Sequence, residues 1–182
     1  MDASVAAAAA RKGLAPTEVT RLSAALLVAM KPREARIEDD HDPAFLHPGR
    51  VALILLHDTT TTDPSTLTVA VLLESRDSEL RAPEDEVRAA LGQDIADGRG
   101  SVPAPGDTDL AERLVTLDPA LVTAALAERL DHLRHEHLRA PVVPWDDLWR
   151  EVSEVWLPVA ERTSEPLARR YRHWLRTFGR RL

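Results

Sequence analysis

The sequence predicts an all-α protein, and three observations carry that prediction. Apolar residues recur at three- and four-residue spacing through most of the chain. Prolines repeatedly sit at the start of these periodic segments, where the missing N–H costs nothing. One β-branched run, "TLTVAV", could suit a strand, but no matching strand pattern lies near it to pair with. The expectation is a helical bundle of about eight helices over residues 17–182, behind a flexible N-terminal tail over residues 1–16.

Taken in order, "MDASVAAAAARKG" lacks a basic stretch before its alanines, which makes it a poor signal peptide, and it reads as a frayed or helical tail. "TEVTRLSAALLVAM" opens after Pro16 with Thr17 as the cap and stops before Lys31-Pro32. The polar "KPREARIEDDHDP" reads as a loop or broken turn. "FLHPGRVALILLH" is a buried helix with Pro48 in its first turn. The next helix starts at Asp63-Pro64 and runs to about Ser75. "APEDEVRAALGQDIAD" is amphipathic, with Val87, Leu91 and Ile95 four residues apart. "GRGSVPAPGDTD", residues 98–109, is the clearest loop. A long helix follows, capped by Asp118 with Pro119 in its first turn, and "PWDDLWREVSEVWLPVAERT" and "SEPLARRYRHWLRTFGRRL" complete the set. Trp149 and Trp156, seven apart, are expected on one core stripe.

Composition narrows the function classes. The 182 residues are 44% hydrophobic and 29% charged, the balance of a soluble globular domain. A formal charge of −7 argues against bulk binding to nucleic acid. There is no cysteine, so disulfides, thiolate metal sites and a cysteine nucleophile are excluded, which suits a reducing cytoplasm. No segment approaches the roughly 20 apolar residues needed to span a bilayer. Seven glycines without a Gly-rich phosphate loop, a Ser-centred elbow or a zinc-spaced His pair leave little room for the common nucleotide and hydrolase motifs.

The candidate chemistry is carried by histidines and carboxylates. His57-Asp58 is the most conspicuous pair, but it follows the buried run "VALILL" and precedes four threonines, so it reads as a helix end. His41-Asp42, ahead of Pro43, reads the same way in a polar loop. Glu128 has Leu126, Ala127 and Leu130 as neighbours and should lie near the core, where a carboxylate needs an arginine, another cation or a metal. The C-terminal "RRYRHWLRTFGRR" holds six arginines and no acid. It could meet phosphate, with Trp174 and Phe178 as stacking surfaces, but it reads better as an amphipathic helix packing Trp174, Leu175 and Phe178 inward.

Three segments then suggest a family. "FLHPGRVALIL" resembles the "hHPxxVAxIL" helix of the RelA/SpoT-type alarmone hydrolase domain, a branch of the HD superfamily. "TLTVAVLLESRDSEL…EDEVRAALGQDIAD" is similar to that family's "TLxAALLHDxxEDT…xDEVxxxFGxxVAxLV", and "DPALVTAALAERLDHLR" to its "xxxLVKLADRLxNLR". The likeness runs from about Leu22 to the C-terminus and implies an HD-domain-like helical bundle. It also implies a divalent metal, manganese in the family, held at His47, Glu74 and Glu128.

The family's His-Asp pair falls on Glu74-Ser75, and its catalytic Glu-Asp on Ser78-Glu79, so Glu79 or Asp77 would have to serve as acid-base. Arg36 and His132 take the places of nucleotide contacts. Only the first metal histidine, His47, is unaltered. A serine neither balances charge nor binds a hard cation strongly, and Glu128 is one methylene longer than the aspartate it replaces. Misplacement near 1 Å can cost on the order of a hundredfold in rate.

The leading expectation is therefore a diverged guanosine-polyphosphate pyrophosphohydrolase-like protein with weakened or lost alarmone hydrolysis, a nucleotide-binding or regulatory pseudoenzyme. Its ligand would be a guanine nucleotide or another phosphorylated small molecule. The alternatives are an active metal-dependent phosphohydrolase using His47, Glu74 and Glu128, and a non-catalytic helical interaction module.

Overall fold

The computed structural model describes residues 2–39, 41–59, 63–138 and 143–178, which form helices and no strand. The helices are α1 (Asp2–Arg11), α2 (Pro16–Arg36), α3 (His47–Asp58), α4 (Pro64–Leu72), α5 (Glu84–Leu91) and α6 (Gln93–Ser101). They continue as α7 (Leu110–Thr116), α8 (Pro119–His135), α9 (Trp145–Glu151), α10 (Leu157–Thr163) and α11 (Glu165–Phe178).

The all-helical bundle is as the periodicity predicts, with α8 at its centre. Every residue of α8 from Val122 to Leu133 is buried, so it presents no solvent face. α3 and α4 pack on one side of it, with α2 against α4, while α10 and α11 cover the other. Two polar ends fasten α11 to α8: the Tyr171 hydroxyl donates to Leu126 C=O at 2.7 Å and Trp174 Nε1 to Leu133 C=O at 2.8 Å. Leu175 and Phe178 pack partly buried against the core, so the amphipathic reading of this helix holds. Its Arg170 pairs with Asp58 and its Arg172 with Glu161 and Glu165. Arg180 and Arg181 lie outside the described residues, as do Thr60–Thr62.

Several boundaries differ from the sequence reading, each for a local reason. Residues 2–11 are not a loose tail: α1 packs on α2 and α3 and buries Val5, Ala8 and Ala9 in the core. The cap of α2 is Ala15, whose N–H donates to the Glu18 carboxylate at 2.6 Å, so Thr17 lies inside the helix. α2 also runs through Pro32 to Arg36 across the expected loop. Its buried stripe of Leu22, Ala25, Leu26 and Ala29 continues onto Arg33, which anchors the extra turn.

α4 stops at Leu72, three residues short, which leaves Glu74 beyond the helix end. The expected single helix from Glu84 breaks at Gly92, whose φ of 95° favours glycine, into α5 and α6. α6 takes in Gly98–Ser101, and α7 lies where no helix is expected. Between α9 and α10, residues Val152–Trp156 form a π turn: Leu157 N–H bonds to Val152 C=O, just ahead of Pro158, which has no N–H to give. The extra residue shifts the register, so Trp156 is buried while Trp149 is 39% exposed.

Candidate metal centre

α3 begins at His47, and the residue two places past α4 is Glu74; α8 supplies Glu128, Asp131, His132 and His135 from successive turns of one face. Spacings of three and four residues put these four polar groups in one stripe on an otherwise apolar helix. The helix packing brings that stripe against His47 and Glu74.

The His47 ring is fixed first. Its Nδ1–H donates to Asp131 Oδ2 at 2.8 Å, and Asp131 also receives Arg50 through Nε and a second guanidinium nitrogen, both at 2.8 Å. Burial alone would raise the Asp131 carboxyl, but the His47 and Arg50 hydrogen bonds and charges outweigh it and hold it well below the usual range. An ionised Asp131 can only accept, so Nδ1 of His47 carries a proton and Nε2 is the nitrogen left for a ligand.

His47 stacks on His132 with ring centroids 4.1 Å apart. His132 Nε2 lies 3.0 Å from Glu128 Oε1 and 3.3 Å from Glu74 Oε1. Those contacts lack hydrogen-bond alignment: Nε2 of both His47 and His132 is buried without a hydrogen-bond partner. Desolvation by itself would lower His132, yet the Glu128 and then the Glu74 carboxylates raise it to about 9.

Glu74 is held from four directions. Its Oε2 receives Arg33 at 2.6 Å, and its Oε1 accepts from the Arg76 and Asp77 N–H groups at 3.0 and 3.1 Å while facing His132. Burial would raise it, but His132, His47 and Arg33 together bring it far down. Glu128 behaves the same way: burial opposes ionisation, and His132 and then His47 restore it. The Ser75 N–H donates to Glu128 Oε1 at 2.8 Å.

The sequence-expected residues are thus partly united. One ligand atom each from His47, Glu74 and His132 lies within 4.8 Å of the others, with side-chain exposures of 1%, 2% and 6%. Glu128 does not belong to that group. It sits against His132, which is buried and lies with His47 and Glu74 in the group. Asp77 and Glu79 point elsewhere. Asp77 Oδ1 accepts the Glu79 N–H, and the Glu79 side chain is 76% exposed, 3.6 Å from Arg36 along a shallow outer cleft. His57 and Asp58 end α3 as expected, and His41 and Asp42 lie in the turn before it.

Two residues of the centre were not singled out in the sequence. Arg33 donates to Ala44, Ala29 and Leu80 carbonyls as well as to Glu74, at 1% exposure. Asp131 orients His47. The stripe from Leu22 through Ala29 pointed to Arg33, and the Glu128, Asp131, His132, His135 spacing pointed to Asp131.

The donor set fits a divalent ion. Two imidazoles whose Nε2 atoms lack a hydrogen-bond partner flank a carboxylate, their ligand atoms lie within 4.8 Å of one another, and the 3.3 Å between His132 Nε2 and Glu74 Oε1 is that of neighbouring ligands about 2.1 Å from one ion. Three carboxylates, Glu74, Glu128 and Asp131, face the Arg33 and Arg50 guanidiniums and the raised His132, so a cation that takes the place of the His132 proton keeps the cluster neutralised. No protein-family model, curated protein or solved structure matches the chain. No helix of the described residues is long and apolar enough to cross a membrane.

Proposed function

We propose that this chain is a diverged HD-type phosphohydrolase relative that keeps a buried divalent-metal centre on His47, Glu74 and His132 and has weakened or lost alarmone hydrolysis. The observation that carries the reading is the convergence of two buried, unpartnered histidine nitrogens on Glu74. The three family-like segments and the all-helical architecture agree with it. Nitrogen and carboxylate donors suit manganese, iron or zinc, and the resemblance favours manganese. When bound, such an ion would supply Lewis acidity and the positive charge of the His132 proton it displaces.

The chain's own residues explain the loss of turnover. Asp131 holds the His47 ring, and Arg33 fixes Glu74. Among the described residues no carboxylate with a free path to solvent stands in the acid-base place, since Glu79 is turned outward and Asp77 caps the turn after Glu74. A buried centre without an acid-base partner is a regulatory or structural device rather than an efficient catalyst.

Equilibrium dialysis against manganese should find one ion per chain, with binding abolished in His47→Ala and His132→Ala variants that remain helical by circular dichroism. Incubation with guanosine tetraphosphate and manganese should release little or no pyrophosphate. A folded wild-type protein that binds no ion would refute the metal centre; rapid turnover would refute the loss of hydrolysis.

A further inference from the structure

A cavity of about 300 Å³ opens on the far side of Glu74 from His47. Its apolar walls include Leu72, Leu73, Val102 and Trp156, and Ser75 and Glu128 line its inner part. Arg81 and Arg99 line it nearer to solvent. The volume lies at the lower end of the range for small-molecule pockets.

The two arginines are held by backbone carbonyls. Arg81 donates through Nε and a terminal nitrogen to Glu74 C=O at 3.2 and 2.9 Å, and Arg99 donates to Ala82 C=O at 2.6 Å. Carbonyls fix the position of a guanidinium but cancel little of its charge. Among the described residues neither arginine forms an ion pair; Glu84, which also lines the cavity and attracts Arg99, is paired with Arg88. Burial and then the Arg81 charge weaken the hold of Arg99 on its proton, and the Glu84 carboxylate only partly offsets them. A third donor is also unspent: Ser75 Oγ is buried without a hydrogen-bond partner.

The wall opposite is unusual as well. Trp156 closes the π turn, and its Nε1 is pinned to Glu151 Oε1 at 2.6 Å, which holds the ring in place. π turns recur at functional sites, and this one sets an aromatic wall beside two unpaired guanidiniums.

We propose that this cavity is an anion site that binds the phosphoryl group of a small phosphorylated molecule between Arg81 and Arg99. Paired guanidiniums match a phosphoryl dianion in charge and fork geometry. The carboxylate of Glu128, deeper in the cavity, repels a second anionic group, so the inner part of the ligand is neutral and carries hydroxyls for Ser75 and Glu128. The site goes beyond the metal centre: Arg81 meets Glu74 only through its backbone carbonyl, which leaves the Glu74 carboxylate to the metal centre, and neither arginine bonds to His47 or His132.

The test is calorimetric titration of the full chain with inorganic phosphate and with glycerol phosphate, in a chelator and again with manganese. Binding in the chelator is expected, weakened about tenfold or more by Arg81→Gln and by Arg99→Gln and unchanged by Arg150→Gln, which lies on α9 outside the cavity. A rise in melting temperature with glycerol phosphate, absent in both glutamine variants, guards against misfolded variants. Failure of both anions to bind folded wild type, or equal binding by the Arg81→Gln and Arg99→Gln proteins, would overturn the site. Binding that appears only with manganese would place the anion on the metal and also overturn it.

Discussion

Arg33 and Glu74, 41 residues apart, form an ion pair at 2.6 Å with both side chains at most 2% exposed. It ties the last turn of α2 to the segment after α4 and positions a candidate metal ligand. Arg33→Met leaves Glu74 buried without its cation and strands the Ala44 and Leu80 carbonyls. Breaking such a pair costs about 3–5 kcal/mol, so urea denaturation should show a loss of that order. Arg33→Lys should recover little of it, since one ammonium cannot reach four acceptors set in a fork.

Stability should depend on pH from both sides. His132 is raised to about 9, so its contribution is complete below the unfolded value near 6.5 and is lost as pH climbs from there through about 9. Glu74, Glu128 and Asp131 are lowered, so theirs is complete above the ordinary carboxylate range and is lost as pH falls below it. Melting temperature in a chelator should therefore peak in mildly acidic solution, and His132→Gln should flatten the alkaline limb. An unchanged alkaline limb in that variant would show that His132 is not the group responsible.

Metal and proton compete for the same nitrogen. Near neutral pH His132 carries a proton between Glu128 and Glu74, and an ion bound at Nε2 displaces it. Calorimetry of manganese binding at pH 7 in buffers of different ionisation enthalpy should report close to one proton released per ion. Release near zero would mean that His132 is not a ligand.

The N-terminal helix is part of the core. Val5 is fully buried, and Val5→Asp places an unpaired charge there; the expected loss is about 3 kcal/mol or more by denaturant titration. A change within experimental error would mean that α1 does not contribute to the folded unit.

What could be read from sequence divides along physical lines. Asp63-Pro64 and Asp118-Pro119 announce their helices because the cap and the proline act locally, and both start as expected. α1 was hidden because an alanine run has no hydropathy contrast to show which face is buried. Pro32 suggested a helix end, yet burial of the Arg33 face outweighed the local cost. His47 and Glu74 were legible only through their likeness to family motifs. That His132 rather than Glu128 groups with His47 and Glu74 depends on where the end of α4 falls, which spacing along one helix does not reveal.

The central claim is that His47 and His132 ligate one ion, and pulsed electron paramagnetic resonance of the manganese-loaded protein tests it most directly. The account predicts couplings from two histidine nitrogens, reduced to one in His132→Gln at unchanged helicity. A spectrum without nitrogen coupling, or one unaltered by His132→Gln, would contradict it.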